Sequence, residues 1–174
     1  MSRGETRSSR GAAAQSVVLS ALIISIASCL WTGVSALAQD LSPGKRVWSQ
    51  TGGCIRCHGW SGNGTPEGPD YPAGANLRVT ALTRAAVKEV VMCGRPASDM
   101  PYFDRNAYKS LTCYGMTTAQ VGERRPRAAE NSLNDAQLEA LLDYVFTKIV
   151  GQGAVSRAAC EDYFGPGAPK CAAM

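Results

Sequence analysis

Apolar residues recur through this chain at helical spacing, and no segment shows the alternation of a half-buried strand. The clearest case comes late. Leu138, Leu141, Leu142, Val145 and Ile149 share one face of a helix that Ser132 or Asn134 would cap and that Gly151 and Gly153 stop. A second helix, capped by Thr83, carries Val87, Val90 and Val91 and ends at Cys93-Gly94. A third and shorter one starts with Ser42 as N-cap and Pro43 in its first turn, has Val47 and Trp48 on its apolar side, and ends at Gly52-Gly53. The stretches between are rich in breakers. Glycine and proline crowd residues 59–74, and Pro96, Pro101 and Pro126 punctuate residues 95–131, where one helical turn is expected near 117–122. The pattern predicts an all-α, loop-rich fold.

The first residues follow a different logic. Arg3, Arg7 and Arg10 precede an uncharged apolar run from Val17 to Trp31, and Ala36-Leu37-Ala38 then offers small residues where a signal peptidase reads. Residues 1–38 are therefore expected to be a signal peptide, with the exported chain starting at Gln39 and remaining in the periplasm. The run is about 15 residues, short of the roughly 20 that span a bilayer, which disfavours the alternative of an N-terminal membrane anchor. A lipoprotein ending at Cys29 is the other alternative, and the apolar residues continuing past it argue against that processing. Residues 39–153 then form one domain and residues 154–174 a short polar C-terminal tail.

Export changes how cysteine is read. The chain has 7 Cys, of which Cys29 would leave with the signal peptide, and disulfides persist outside the cytoplasm. Cys54-Ile55-Arg56-Cys57-His58 is the C-x-x-C-H pattern of c-type haem attachment. One helical turn sets both thiols beneath the two vinyl groups of a haem, and the next residue aims an imidazole at the iron. The alternatives are a disulfide or redox dithiol, which would want a βαβ setting, and zinc, which would want further ligands around the pair. Four cysteines remain, and the most local pairing is Cys93 with Cys113 and Cys160 with Cys171. Each bridge would contribute about 3 kcal/mol in the chain-entropy picture. The formal charge of +4 falls once the arginine-rich leader is removed, which gives no reason to expect a nucleic-acid partner.

His58 is the only histidine, so bis-His ligation of the iron is impossible. The sixth ligand is then a methionine, another weaker donor, or nothing, and the methionines available are Met92, Met100, Met116 and Met174. Met92 reads as helix core and Met174 as a terminal residue. Met100 precedes Pro101, which biases it toward extended backbone in a loop; Met116 follows Gly115 and is its rival.

With these residues in view the chain resembles the class I, mitochondrial-type, monohaem cytochromes c from Ser42 to Val150. Gly44-Lys45-Arg46-Val47-Trp48 is similar to the family's N-terminal Gly-x-x-x-aromatic helix, and Leu141-Leu142-Asp143-Tyr144 to the C-terminal helix that crosses it at that glycine. Met100-Pro101-Tyr102-Phe103 resembles the family's Met-Pro-x-Phe ligand loop. The resemblance implies short helices wrapped around one covalent haem c per chain, bound by Cys54 and Cys57, with His58 and Met100 as axial ligands. It implies a proline carbonyl that accepts the Nδ1 hydrogen bond of His58, for which Pro69 and Pro72 both qualify, and a haem contact from Leu77. The implied role is an electron carrier, not an enzyme, serving redox partners such as a periplasmic dehydrogenase or terminal oxidase. The alternatives are a fixed haem subunit of a larger oxidoreductase, docked through the tail after Gly153, and a haem enzyme with an open sixth position, which would need a distal acid-base group such as the second histidine this chain lacks. Arg56, Arg78 and Arg95 are candidates to hold haem propionates or else are solvated charges. Trp60, Tyr102 and Phe103 are candidates for core packing or partner docking. The long loop from Tyr102 to Ser132 and the disulfide-stapled C-terminal extension depart from the family pattern.

Overall fold

The computed structural model describes residues 41–174, so the signal-peptide reading of residues 1–38 and the fate of Cys29 lie outside the described residues. Among them every regular element is helical, and the only β pairings are isolated bridges such as Tyr102 with Ala128. Helix α1 is Ser42–Arg46 and continues without a break into one wider turn over Val47–Thr51. Its N-cap is Leu41, one residue before the expected Ser42, because the Leu41 carbonyl already accepts the first helical bond from Lys45 N at 2.9 Å. Helix α2 is the single turn Ile55–His58. Helix α3, Arg84–Cys93, starts where Thr83 Oγ1 accepts from Ala86 N. Helix α4 is the short turn Thr118–Val121, where one was expected.

Helix α5, Asp135–Lys148, is the longest. Asn134, not Ser132, caps it: Gln137 N donates to Asn134 Oδ1 at 2.9 Å while Asn134 N donates to Gln137 Oε1 at 3.0 Å, a reciprocal box worth about 1 kcal/mol. Its expected apolar face is buried, and it forms the main core with Val47 and Trp48, with Val87 and Val91 from α3, and with Phe103. Helix α1 crosses α5 at Gly44 with no room between the backbones. A Cβ there would overlap the Ala140 carbonyl oxygen and sit 2.6 Å from Tyr144 Cβ.

Two departures from the sequence reading concern the inserts. The long loop has its own small core, Cys93, Ala107, Tyr108, Cys113 and Val121, built around the Cys93–Cys113 disulfide. The segment after Gly153 is not merely a polar tail. It contains helix α6, Arg157–Phe164, capped by Ser156 and stapled by the Cys160–Cys171 disulfide. Tyr163 and Phe164 lie against Trp60, with ring centroids 5.6 and 5.3 Å away. Arg78 fastens the start of this extension. Its guanidinium donates to the carbonyls of Ser61, Gln152, Gly153 and Ala154, and the residue is only 4% exposed, so Arg78 is neither free to hold a propionate nor a solvated charge, the two roles the sequence suggests for it. Among the described residues no helix is long and apolar enough to cross a membrane.

Candidate functional site

The chain reaches the site through Gly52 and Gly53, whose φ of +59° turns it out of the wide turn and into α2. That one turn, closed by His58 N donating to Cys54 O at 2.9 Å, brings Cys54 and Cys57 to the same side. Both thiols are free, and both line one cleft together with Met100, Phe103, Tyr71 and Arg127. The cleft is partly open to solvent, and its walls combine apolar side chains with polar and charged ones, the character of a cofactor site.

The dense surroundings push the Cys54 thiol up to about 12, and burial also raises Cys57, against a lowering by Arg127. Raised thiol pKa values are the opposite of the stabilised, low-pKa thiolate that a redox dithiol requires. Among the described residues no three His, Cys, Asp or Glu side chains converge as a zinc site would need.

His58 is oriented from two directions. Its Nδ1 lies 2.9 Å from the Ala75 carbonyl oxygen, and its ring centroid is 6.1 Å from that of Trp48, itself 1% exposed. Because a carbonyl only accepts, Nδ1 carries the proton and Nε2 keeps its lone pair. Burial lowers the imidazole pKa, partly offset by the Ala75 bond, so the ring is neutral, the state in which it ligates a metal.

The carbonyl belongs to Ala75, which corrects the expectation that Pro69 or Pro72 would supply it. Both prolines are exposed, and neither contacts the ring through a hydrogen bond. The reason lies in Gly74. Its N donates to Cys57 O at 2.8 Å, drawing the loop across His58, and a Cβ on it would stand 2.7 Å from Nδ1. Only a residue without a side chain passes there, and the next carbonyl is the one that reaches Nδ1. Asn76 then caps the turn Leu77–Val79, and Leu77, tied through its N to Gly62 O, packs on the main core.

The methionines separate by position. Met100 packs on the main core and lines the cleft of Cys54 and Cys57, whereas Met116 packs on the second core and is not among the cleft residues. Met92 touches both cores, and Met174 is 51% exposed at the C-terminus. Phe103 is buried core, Tyr102 borders the second core, and Trp60 is covered by the extension. Of the arginines, Arg56 lines the cleft and pairs loosely with Glu130 at 3.5 Å. Arg127 was not singled out from the sequence, where nothing distinguishes it from Arg124 and Arg125.

These residues fit a covalently attached haem. Two free thiols on one turn, a neutral imidazole with Nε2 available and a thioether on the same cleft make up its donor set. One large exposed apolar side chain points the same way. Tyr71, 39% exposed, lines this cleft beside Cys54 and Cys57. The family model described as Cytochrome c matches residues 41–147. No curated protein and no solved structure matches the chain.

Proposed function

The chain belongs to the cytochrome c family, and from that premise we propose that it is a periplasmic monohaem carrier passing single electrons between redox proteins, with His58 and Met100 as the axial pair. Haem c attached through Cys54 and Cys57 supplies a metal centre that changes by one electron. The protein's own residues do the rest: His58 is held neutral and aligned by Ala75, and Phe103 and Trp48 keep the surroundings apolar. A thioether as the second donor favours the reduced iron and raises the potential.

The observation that carries the axial pair is the position of Met100 on the cleft of both thiols while Met116 sits on the other core. The extension after Gly153 uses Tyr163 and Phe164 to cover Trp60, which weakens the reading of a free tail that docks this chain into a larger enzyme. Partners of the expected kind are a periplasmic dehydrogenase as donor or a terminal oxidase as acceptor.

The near-red absorption band of Met-ligated ferric haem tests the pair. Wild type and Met116→Ala should show it; Met100→Ala should lose it, bind exogenous ligands at the iron and drop in potential. A band that survives in Met100→Ala overturns the assignment. Location is tested separately by the intact mass of the exported holoprotein, which should begin at Gln39; a mass retaining residues 1–38, or a lipid on Cys29, refutes it.

A further inference from the structure

We propose that Tyr114, together with the Cys93–Cys113 disulfide, is a positioning clamp that keeps the Met100 loop closed on the haem cleft. The inference rests on Met100 being the sixth ligand, as proposed above. It starts from where the loop is anchored. The Met100 carbonyl accepts from Arg95 N at 3.1 Å, and the backbone from Met100 to Tyr102 passes so close to Gly94 that a Cβ there would meet Met100 O, Pro101 C and Tyr102 N at 2.8 Å. Beyond it, Phe103 N and Asp104 N donate to Val91 O and Met92 O, both at 3.1 Å. The ligand loop is therefore moulded on the end of α3 and the two residues after it.

Two consecutive residues of the insert grip that anchor. Cys113 is bonded to Cys93, the last residue of α3, and the Tyr114 hydroxyl donates to Gly94 O at 2.5 Å. Tyr114 holds a φ of +54°, a conformation unfavourable for any residue with a side chain, and its N is fixed by Glu89 Oε1 at 2.9 Å. Strain of this sort persists only where the surroundings over-determine it, and here it is what points the phenol at Gly94. Both bridging cysteines are buried, at 2% and 0% exposure, in a core separate from the main one. A small separate core can loosen without unfolding the domain. The disulfide limits that loosening by tying its ends, 20 residues apart, around the very segment that contains Met100.

The clamp is read through a ligand that enters only when Met100 leaves. Imidazole added to the ferric holoprotein binds the open-loop population, so its apparent affinity scales with the open fraction. Tyr114→Phe should tighten imidazole binding about fivefold, the effect of losing one hydrogen bond of ordinary strength. Cys93→Ala with Cys113→Ala should tighten it about tenfold or more. The comparison is Cys160→Ala with Cys171→Ala, which removes a disulfide from the extension and should lower the melting temperature while leaving imidazole affinity within about twofold of wild type. In all of them the ferrous spectrum should remain that of wild type. If Tyr114→Phe binds imidazole as wild type does, or if the extension variant tightens it as much as the Cys93 and Cys113 variant, the clamp is refuted. If wild type lacks the near-red band, Met100 is not the ligand and the clamp falls with that reading; a band present in wild type with unaltered Tyr114→Phe affinity overturns the clamp alone.

Discussion

Gly44→Ala should lower the melting temperature of the holoprotein by more than about 10 °C, although alanine is the better helix former by about 0.5–1 kcal/mol. The sign is what makes the result informative. Gly44 lies inside α1, where an exposed glycine would be improved by a methyl group. The methyl carbon would instead overlap the Ala140 carbonyl oxygen and stand 2.6 Å from Tyr144 Cβ. Neither neighbour is the free end of a flexible side chain. Relief requires α1 to move away from α5, which would part Val47 and Trp48 from the core they share with Leu141 and Leu142. Overpacking typically costs about 1–3 kcal/mol, and a clash with backbone belongs at the upper end or beyond. For a domain with about 5–15 kcal/mol in total, Gly44→Val, with two further methyls, should leave little folded protein to collect. Thermal denaturation followed by circular dichroism decides it, and a Gly44→Ala melting temperature at or above that of wild type would remove the close crossing from the argument.

The same crossing marks what could be read without coordinates. The Gly44 to Trp48 spacing, the apolar face of α5 and the C-x-x-C-H turn are local patterns whose chemistry resides in side chains, and each was found where expected. Local pairing of the four remaining cysteines was legible too, since Cys93 and Cys160 each have a near partner across a loop. The partner of His58 was not legible, because a backbone carbonyl has no residue type. A proline was expected to mark it, and the mark is instead the missing side chain of Gly74. Helix α6 was hidden by its brevity and by having its aromatic residues at one end, where no apolar period develops. Arg78 was misread because charge predicts exposure, and only the four carbonyls gathered around it make burial affordable.

Gly74 also yields a measurable consequence at the redox centre. In Gly74→Ala the new methyl would lie 2.7 Å from His58 Nδ1, 2.9 Å from Cε1 and 3.0 Å from Cys57 O. The ring cannot turn aside without moving Nε2 off its axis, and the loop cannot lift without stretching the Gly74 N to Cys57 O bond of 2.8 Å. Whichever yields, the 2.9 Å bond from Nδ1 to Ala75 O lengthens or breaks. That bond makes the imidazole a stronger donor, and stronger donation favours the oxidised metal, so its loss should raise the reduction potential. A hydrogen bond of about 1 kcal/mol corresponds to about 40 mV for one electron, which sets the size of the expected rise. Gly68→Ala is the matched comparison: it lies in the same loop, a Cβ there meets nothing within 4 Å, and its potential should equal that of wild type. Potentiometric titration of the three holoproteins separates the outcomes. An unchanged or lower potential in Gly74→Ala would mean that the carbonyl of Ala75 does not set the donor strength of His58.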